Sequence, residues 1–198
     1  FAYVANQGSA SVTAYTINAG TGVLTTISCG GGPGCSGDYF SAGTEPRSVT
    51  VDPSGKFLYV ANSFNGAGGN SVSAYTINAT SGALTSVGPA TAAGTSPYAV
   101  TVDPSGRFVY VANRVSSNVS AYTLNASSGA LTPVAGSPFP AGNSPQSVTV
   151  DPTGAVLHQH VLHDEAGRLV SETSALGFEQ TRSFDGPFLA VALPWQAA

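Results

Sequence analysis

Three histidines stand within six residues, His158, His160 and His163, and they are the only histidines of the chain. In a strand, His158 and His160 share one face and His163 lies on the other. A zinc ion wants three or four converging ligands, to which Asp164 or Glu165 could contribute. The same residues would equally make a polar strand face, so His158, His160 and His163 are candidate ligands and no more. Three aspartates, Asp52, Asp103 and Asp151, recur in the motif V-D-P-[ST]-G. Each precedes a proline and fits the first position of a turn, where Asp accepts backbone N–H bonds. That periodic placement argues for turns rather than for catalytic carboxylates. Cys29 and Cys35 are the only cysteines, set in CGGGPGC. The glycine-rich spacer lets the sulfurs meet, and an oxidising compartment would favour a disulfide over two free thiols. Asn78, Asn118 and Asn125 head N-x-[ST] triplets and are candidate glycan acceptors.

The elements that must position these groups form a repeat. SVTVDPSGKFLYVAN at 48–62 returns as AVTVDPSGRFVYVAN at 99–113. Its second half opens the chain as FAYVAN, and its first half recurs alone as SVTVDPTG at 147–154. Val49 and Val51 alternate with Thr50, the period of a strand. Phe57 to Ala61 is a continuous apolar run, which predicts a strand covered on both faces. A third strand follows as SVTAYTIN, SVSAYTIN and NVSAYTLN, then a glycine turn and a short fourth strand at 23–27, 83–87 and 130–134. Asp52 to Asp103 spans 51 residues, and Asp103 to Asp151 spans 48. Four short strands per period of this size predict propeller blades. The fold expected is all-β, with about three four-stranded antiparallel blades, a partial propeller, over residues 1–155.

The YVAN and VDPSG motifs, with the AYT strand between them, resemble the YVTN-type β-propeller repeats, a group that includes lactonase-like propellers. The resemblance implies blades arranged around an axis, mostly seven in that group. A lactonase needs a general base or a metal-activated water, and donors for the oxyanion. Residues 1–155 contain no histidine, and their cations are Arg47, Lys56, Arg107 and Arg114. Arg47, Tyr98 and Gln146 stand at equivalent positions just after the linker prolines and would line a common rim. No nucleophile elbow, nucleotide loop or Cys–His pair accompanies them. No catalytic residue is therefore assigned from the sequence, and no cofactor is expected.

Composition shifts near residue 156. Nine charged residues lie in 1–155 and seven in the 43 that follow. HDEAGRLVSETSALGFEQTRSFDG at 163–186 resembles YD-repeats of the Rhs type through Asp164, Gly167, Arg168 and Leu169, with His163 in place of the usual tyrosine. Two hairpins are expected there, turning at 164–167 and 174–177, in a C-terminal segment of 156–198.

Only 8% of residues are charged and the net charge is −4. That balance argues against a nucleic-acid grip, which needs clustered Lys and Arg. No apolar run of about 18 residues predicts a membrane span, and no signal peptide is recognisable. The opening inside a strand predicts that a preceding portion was removed or is not included. The sequence reading favours a non-catalytic, secreted or cell-surface repeat protein acting in assembly, adhesion or binding, with a surface or carbohydrate ligand. The alternative is a lactonase-like hydrolase whose remaining blades lie outside this chain. A third reading joins two repeat types at residue 156. Three blades do not close alone, since propellers use about four to eight. Residues 147–154 of one copy are therefore expected beside residues 1–6 of the next, in a head-to-tail ring or filament.

Overall fold

The structure is a computed structural model that describes residues 1–31, 34–63 and 70–151, together with the backbone of three short strands beyond them. The chain divides into two units, Phe1–Pro152 and Thr153–Ala198.

The first unit holds three antiparallel blades, so the expected all-β propeller architecture is what the chain adopts. The first blade contains β1 (Ala2–Asn6), β2 (Ser11–Ile17), β3 (Leu24–Thr26), β4 (Cys35–Ser36) and β5 (Tyr39–Ser41). The second contains β6 (Pro46–Val51), β7 (Phe57–Asn62), β8 (Ser71–Ile77), β9 (Leu84–Ser86) and β10 (Thr91–Ala92). The third repeats that order as β11 (Pro97–Val102), β12 (Phe108–Asn113), β13 (Asn118–Leu124), β14 (Leu131–Pro133) and β15 (Phe139–Pro140). One feature differs from the four-strand expectation. The outer edge of each blade is shared by two short segments. β9 pairs the end of β8 and β10 pairs its start, as β14 and β15 do on β13. The fourth strand is thus broken in two by the loop between them.

Strand β7 shows why the apolar run FLYVAN is needed. Phe57, Tyr59 and Ala61 join one core with Val109, Val111 and Tyr122 of the third blade. Leu58 and Val60 join another with Val12, Ala14 and Phe40 of the first. Alternate side chains leave opposite faces of a strand, so a blade packed on both sides buries every position. Each large apolar side chain among them, such as Leu58 or Phe57, contributes about 1.5–3 kcal/mol on burial.

Tyrosines lock the blades together. The Tyr59 hydroxyl donates to the Gly129 carbonyl oxygen at 3.0 Å, and the Tyr122 hydroxyl returns to Ala92 at 2.6 Å. Tyr3 to Gly82 at 2.9 Å and Tyr75 to Ser41 at 2.7 Å repeat the pair one blade earlier. Gly82 and Gly129 adopt φ near +72° and +75°, and a Cβ on either would collide with the ring of Phe1 or Phe57. Burial raises the phenol of Tyr3 to about 12 and pushes that of Tyr59 well above its ordinary value.

The motif V-D-P-S-G closes each β6–β7 type hairpin. Asp52 Oδ1 accepts from the amides of Lys56 and Phe57 at 2.9 and 2.7 Å, and Oδ2 from the amide and hydroxyl of Ser54. Asp103 does the same with Arg107, Phe108 and Ser105. The third occurrence behaves differently. Residues 147–150, which open the SVTVDPTG stretch at 147–154, lie outside any strand within this chain. Their pattern is local, but a strand also needs the partner that β7 gives β6.

In the second unit, β16 (Leu162–His163), β17 (Leu169–Thr173) and β18 (Glu179–Gln180) pair antiparallel in that order. These are the two hairpins that the sequence predicts. The expected turn residues 164–167 and 174–177, and the side chains of His158, His160 and His163, fall outside the described residues.

Candidate functional site

The site is built where each blade's first strand begins. The linkers read A-G-T-E-P, A-G-T-S-P and A-G-N-S-P, ending at Pro46, Pro97 and Pro145. The residue before each proline takes a left-handed conformation without being glycine: Glu45 at φ 50°, Ser96 at 58° and Ser144 at 53°. Such a residue is strained, more so before proline, and strain of this kind gathers at functional sites. Pro46 and Pro97 are fully buried and pair across to Asn62 and Asn113. Immediately after them the register shifts, so Arg47 and Tyr98 are the extra residues of two β-bulges. A bulge re-aims the side chain that it carries. No strand, and so no bulge, forms at Gln146, which is exposed.

The two bulges bring Arg47 and Tyr98 together. The Arg47 guanidinium lies 5.6 Å from the Tyr98 ring centroid, and that of Arg114 lies 5.8 Å from it. Arg114 follows strand β12 directly, so it arrives from the third blade's own loop. Arg47 is paired with Glu45 at 3.1 Å, and Glu45 also accepts from Gln7 Nε2 at 3.2 Å. The Arg114 guanidinium has no acceptor among the described residues; its backbone N–H donates to the Ser96 carbonyl at 2.8 Å. Arg47 and Arg114 are exposed and Tyr98 is half-buried. The result is an open rim with two cations on one aromatic ring, one compensated by a carboxylate and one not.

The supporting loop is rigidly specified. Asn113 is fully buried, and its Nδ2 donates to Asn118 Oδ1 and Ser120 Oγ, each at 2.8 Å. Gly94 packs so closely that a Cβ there would lie 2.6 Å from Asn113 Nδ2 and from Ser116 Oγ. Asn113 precedes Arg114, so this packing fixes where the cation leaves the sheet.

Chemically, the rim can hold an anion or a developing negative charge through guanidinium donors, and Glu45 can accept a proton. Among the described residues no cluster of His, Cys, Asp or Glu is arranged to hold a metal ion. At the opposite end of the strands a cleft of about 150 Å³ lies between the hairpin turns, lined by Asp52, Lys56, Ser105 and Leu124. The Asp52 carboxylate there accepts the amides of Lys56 and Phe57 and so serves the turn.

Cys29 and Cys35 are brought together, with Cα atoms 5.7 Å apart, a separation that a disulfide spans. They sit in the first blade's outer loop, away from the rim strands. Asn78 and Asn125 are exposed, and each Oδ1 accepts two amides of the turn that follows, Thr80 and Ser81 or Ser127 and Ser128. Asn18 makes the same turn with Gly20 and Thr21 in an N-A-G triplet. The turn alone therefore accounts for asparagine at these positions. Asn118 is half-buried and held by Asn113 and Ser116.

The family model of the lactonase 7-bladed β-propeller matches residues 1–150. The chain belongs to this lactonase propeller family. A 6-phosphogluconolactonase of Formosa agariphila is 39% identical over 70 residues, 35% of this chain and 19% of that protein. Among solved structures, a protein of Bacteroides fragilis provisionally designated a 6-phosphogluconolactonase superposes with a TM-score of 0.61 at 22% identity. It is matched over 72% of this chain and 36% of its own length. The periplasmic gluconolactonase of Pseudomonas aeruginosa superposes with a TM-score of 0.56 at 23% identity, over 73% of this chain and 38% of that one. At these identities the superpositions speak for the fold. The chain spans about a fifth of the curated relative's length and under two-fifths of the two structures'.

These findings correct the sequence reading. The non-catalytic, structural, self-assembling and extracellular protein expected from composition and repeats gives way to the lactonase-like alternative. The error has a physical source. Along the chain Arg47 and Arg114 stand far apart. The fold gathers Arg47, Tyr98 and Arg114 from two blades and sets Glu45 beside them. The YD-repeat likeness at 163–186 finds no counterpart in the family match, which ends at residue 150.

Proposed function

We propose that this chain contributes the lactone-binding rim of a 6-phosphogluconolactonase-like hydrolase. The observation that carries the reading is the stack of Arg47 and Arg114 on Tyr98 beside the Glu45 carboxylate, in a chain of the lactonase family. Water adds to the lactone carbonyl carbon while Glu45 takes its proton. The carbonyl electron pair moves to oxygen, and the oxyanion is met by the guanidiniums. Collapse of that adduct breaks the ring C–O bond, and the ring oxygen leaves with the proton. The product is a hydroxy acid, ionised at neutral pH with release of one proton.

Acid release from glucono-δ-lactone and its 6-phosphate, followed by pH-stat with the full chain, tests the reading. E45Q should lower kcat about a hundredfold or more, the usual yield of a positioned base. R114A should raise KM about tenfold, the worth of one charge-assisted bond. Turnover unchanged in both variants would assign catalysis to other residues.

A further inference from the structure

Ser96 occupies a backbone conformation that glycine adopts freely, and at φ 58° a serine is retained against strain. Its groups are all used. The amide donates to Asn70 Oδ1 at 2.8 Å, the carbonyl accepts from Arg114 N at 2.8 Å, and the hydroxyl lies 2.8 Å from Ser63 Oγ. Both serines are buried, at 9% and 6% exposure. Ser63 in turn donates its own amide to the Glu45 carbonyl at 3.0 Å. The links join into one path: Gln7 side chain, Glu45, Ser63, Ser96, Arg114. It runs from the first blade to the third, just beneath the rim. Tyr98 lies two residues after Ser96, and Arg47 two after Glu45.

We infer that the buried Ser63–Ser96 hydroxyl pair is a positioning device that sets the spacing of Arg47 and Arg114 across Tyr98. The pair is the one link of the path joining the second blade's strand end to the linker of the third. Ser96 carries both partners of the stack on that side, Tyr98 through the chain and Arg114 through its carbonyl. Neither hydroxyl touches a ligand, so their effect passes through the guanidiniums. The spacing of two cations selects among anions by size and charge, which makes the pair specificity-determining for the rim. This inference rests on the rim being the ligand site.

Two removals test it in the full chain. S96G deletes the hydroxyl and relieves the backbone, and S63A deletes the partner without touching the left-handed residue. The readouts are the Nε–H resonances of Arg47 and Arg114, which the Tyr98 ring 5.6 and 5.8 Å away is expected to shift upfield, and the affinity for inorganic phosphate. The expected result in both variants is loss of the Arg114 ring-current shift and phosphate binding weakened by about tenfold, in the range of couplings carried by such networks. If Ser96 only caps a turn, S96G leaves the shift and the affinity unchanged, and that outcome overturns the inference. Should the unaltered chain bind no phosphate, the ligand reading of the rim fails, while the ring-current shift still decides whether the serines position the stack.

Discussion

Arg47 and Arg114 touch the same ring, yet one has a carboxylate 3.1 Å away and the other has none among the described residues. An exposed pair such as Glu45–Arg47 adds little to stability, about 0–1 kcal/mol, so its placement on a strained residue is better read as chemistry. E45A should leave the melting temperature within a degree or two while changing ligand affinity, measured by thermal unfolding beside calorimetric titration. A different titration governs the turns. Burial raises the Asp103 carboxyl, but bonds from the Ser105 hydroxyl and the amides of Phe108, Arg107 and Ser105 outweigh it and leave it below its ordinary value. A depressed carboxyl gives stability present above the unfolded value near 3.9 and lost as pH falls through the folded value. The denaturant midpoint should therefore drop below about pH 4, and D103N should flatten that drop. These turn aspartates were legible in the sequence, because D-P-S-G acts on its own neighbours. Glu45 was not, because its partners Gln7 and Arg47 come together only when two blades pack.

Among the elements, β7 and the A-G-x-x-P linkers carry the site. Leu58 is fully buried in the core shared with the first blade, so Leu58→Ala should cost about 2–5 kcal/mol in chemical denaturation. Gly94→Ala acts elsewhere. Its Cβ would press on Asn113 and Ser116, displacing the loop that launches Arg114. The variant should lose anion affinity by more than its loss of stability explains, read from Kd and denaturant midpoint together. Strands such as FLYVAN were readable from periodicity, since burial on both faces imposes a continuous apolar run. The bulges at Arg47 and Tyr98 were not, because a single-residue register shift leaves no mark in a pattern of period two. The short outer strands β5, β10 and β15 have two or three residues each, too few for any period to show. The stretch at 147–150 has the local pattern of β6 but forms no strand within this chain, because pairing is not a local property.

For the whole chain, the blade-to-blade contacts unite what the repeats only suggest. Tyrosine hydroxyls cross each junction in both directions, and burial holds the Tyr3 phenol near 12 and Tyr59 higher. A phenol raised on folding gives stability that is complete below about pH 10 and falls as pH rises through the folded value. Alkaline unfolding should therefore set in above about pH 10, and Y59F should move it upward while lowering stability at neutral pH. The period near 50 residues and the motif order already implied a propeller, and the family match over residues 1–150 agrees. What repeats could not reveal is that the junction between the second and third blades differs from its neighbour in carrying Arg47, Tyr98 and Arg114. The most direct test of that junction as the ligand site is an amide and side-chain NMR titration of the full chain with 6-phosphogluconate. The account predicts shifts concentrated at Gln7, Glu45, Arg47, Tyr98 and Arg114, with the turns at Asp52 and Asp103 unmoved. Shifts gathered at those turns, or saturation without any change at Arg47 and Arg114, would contradict it.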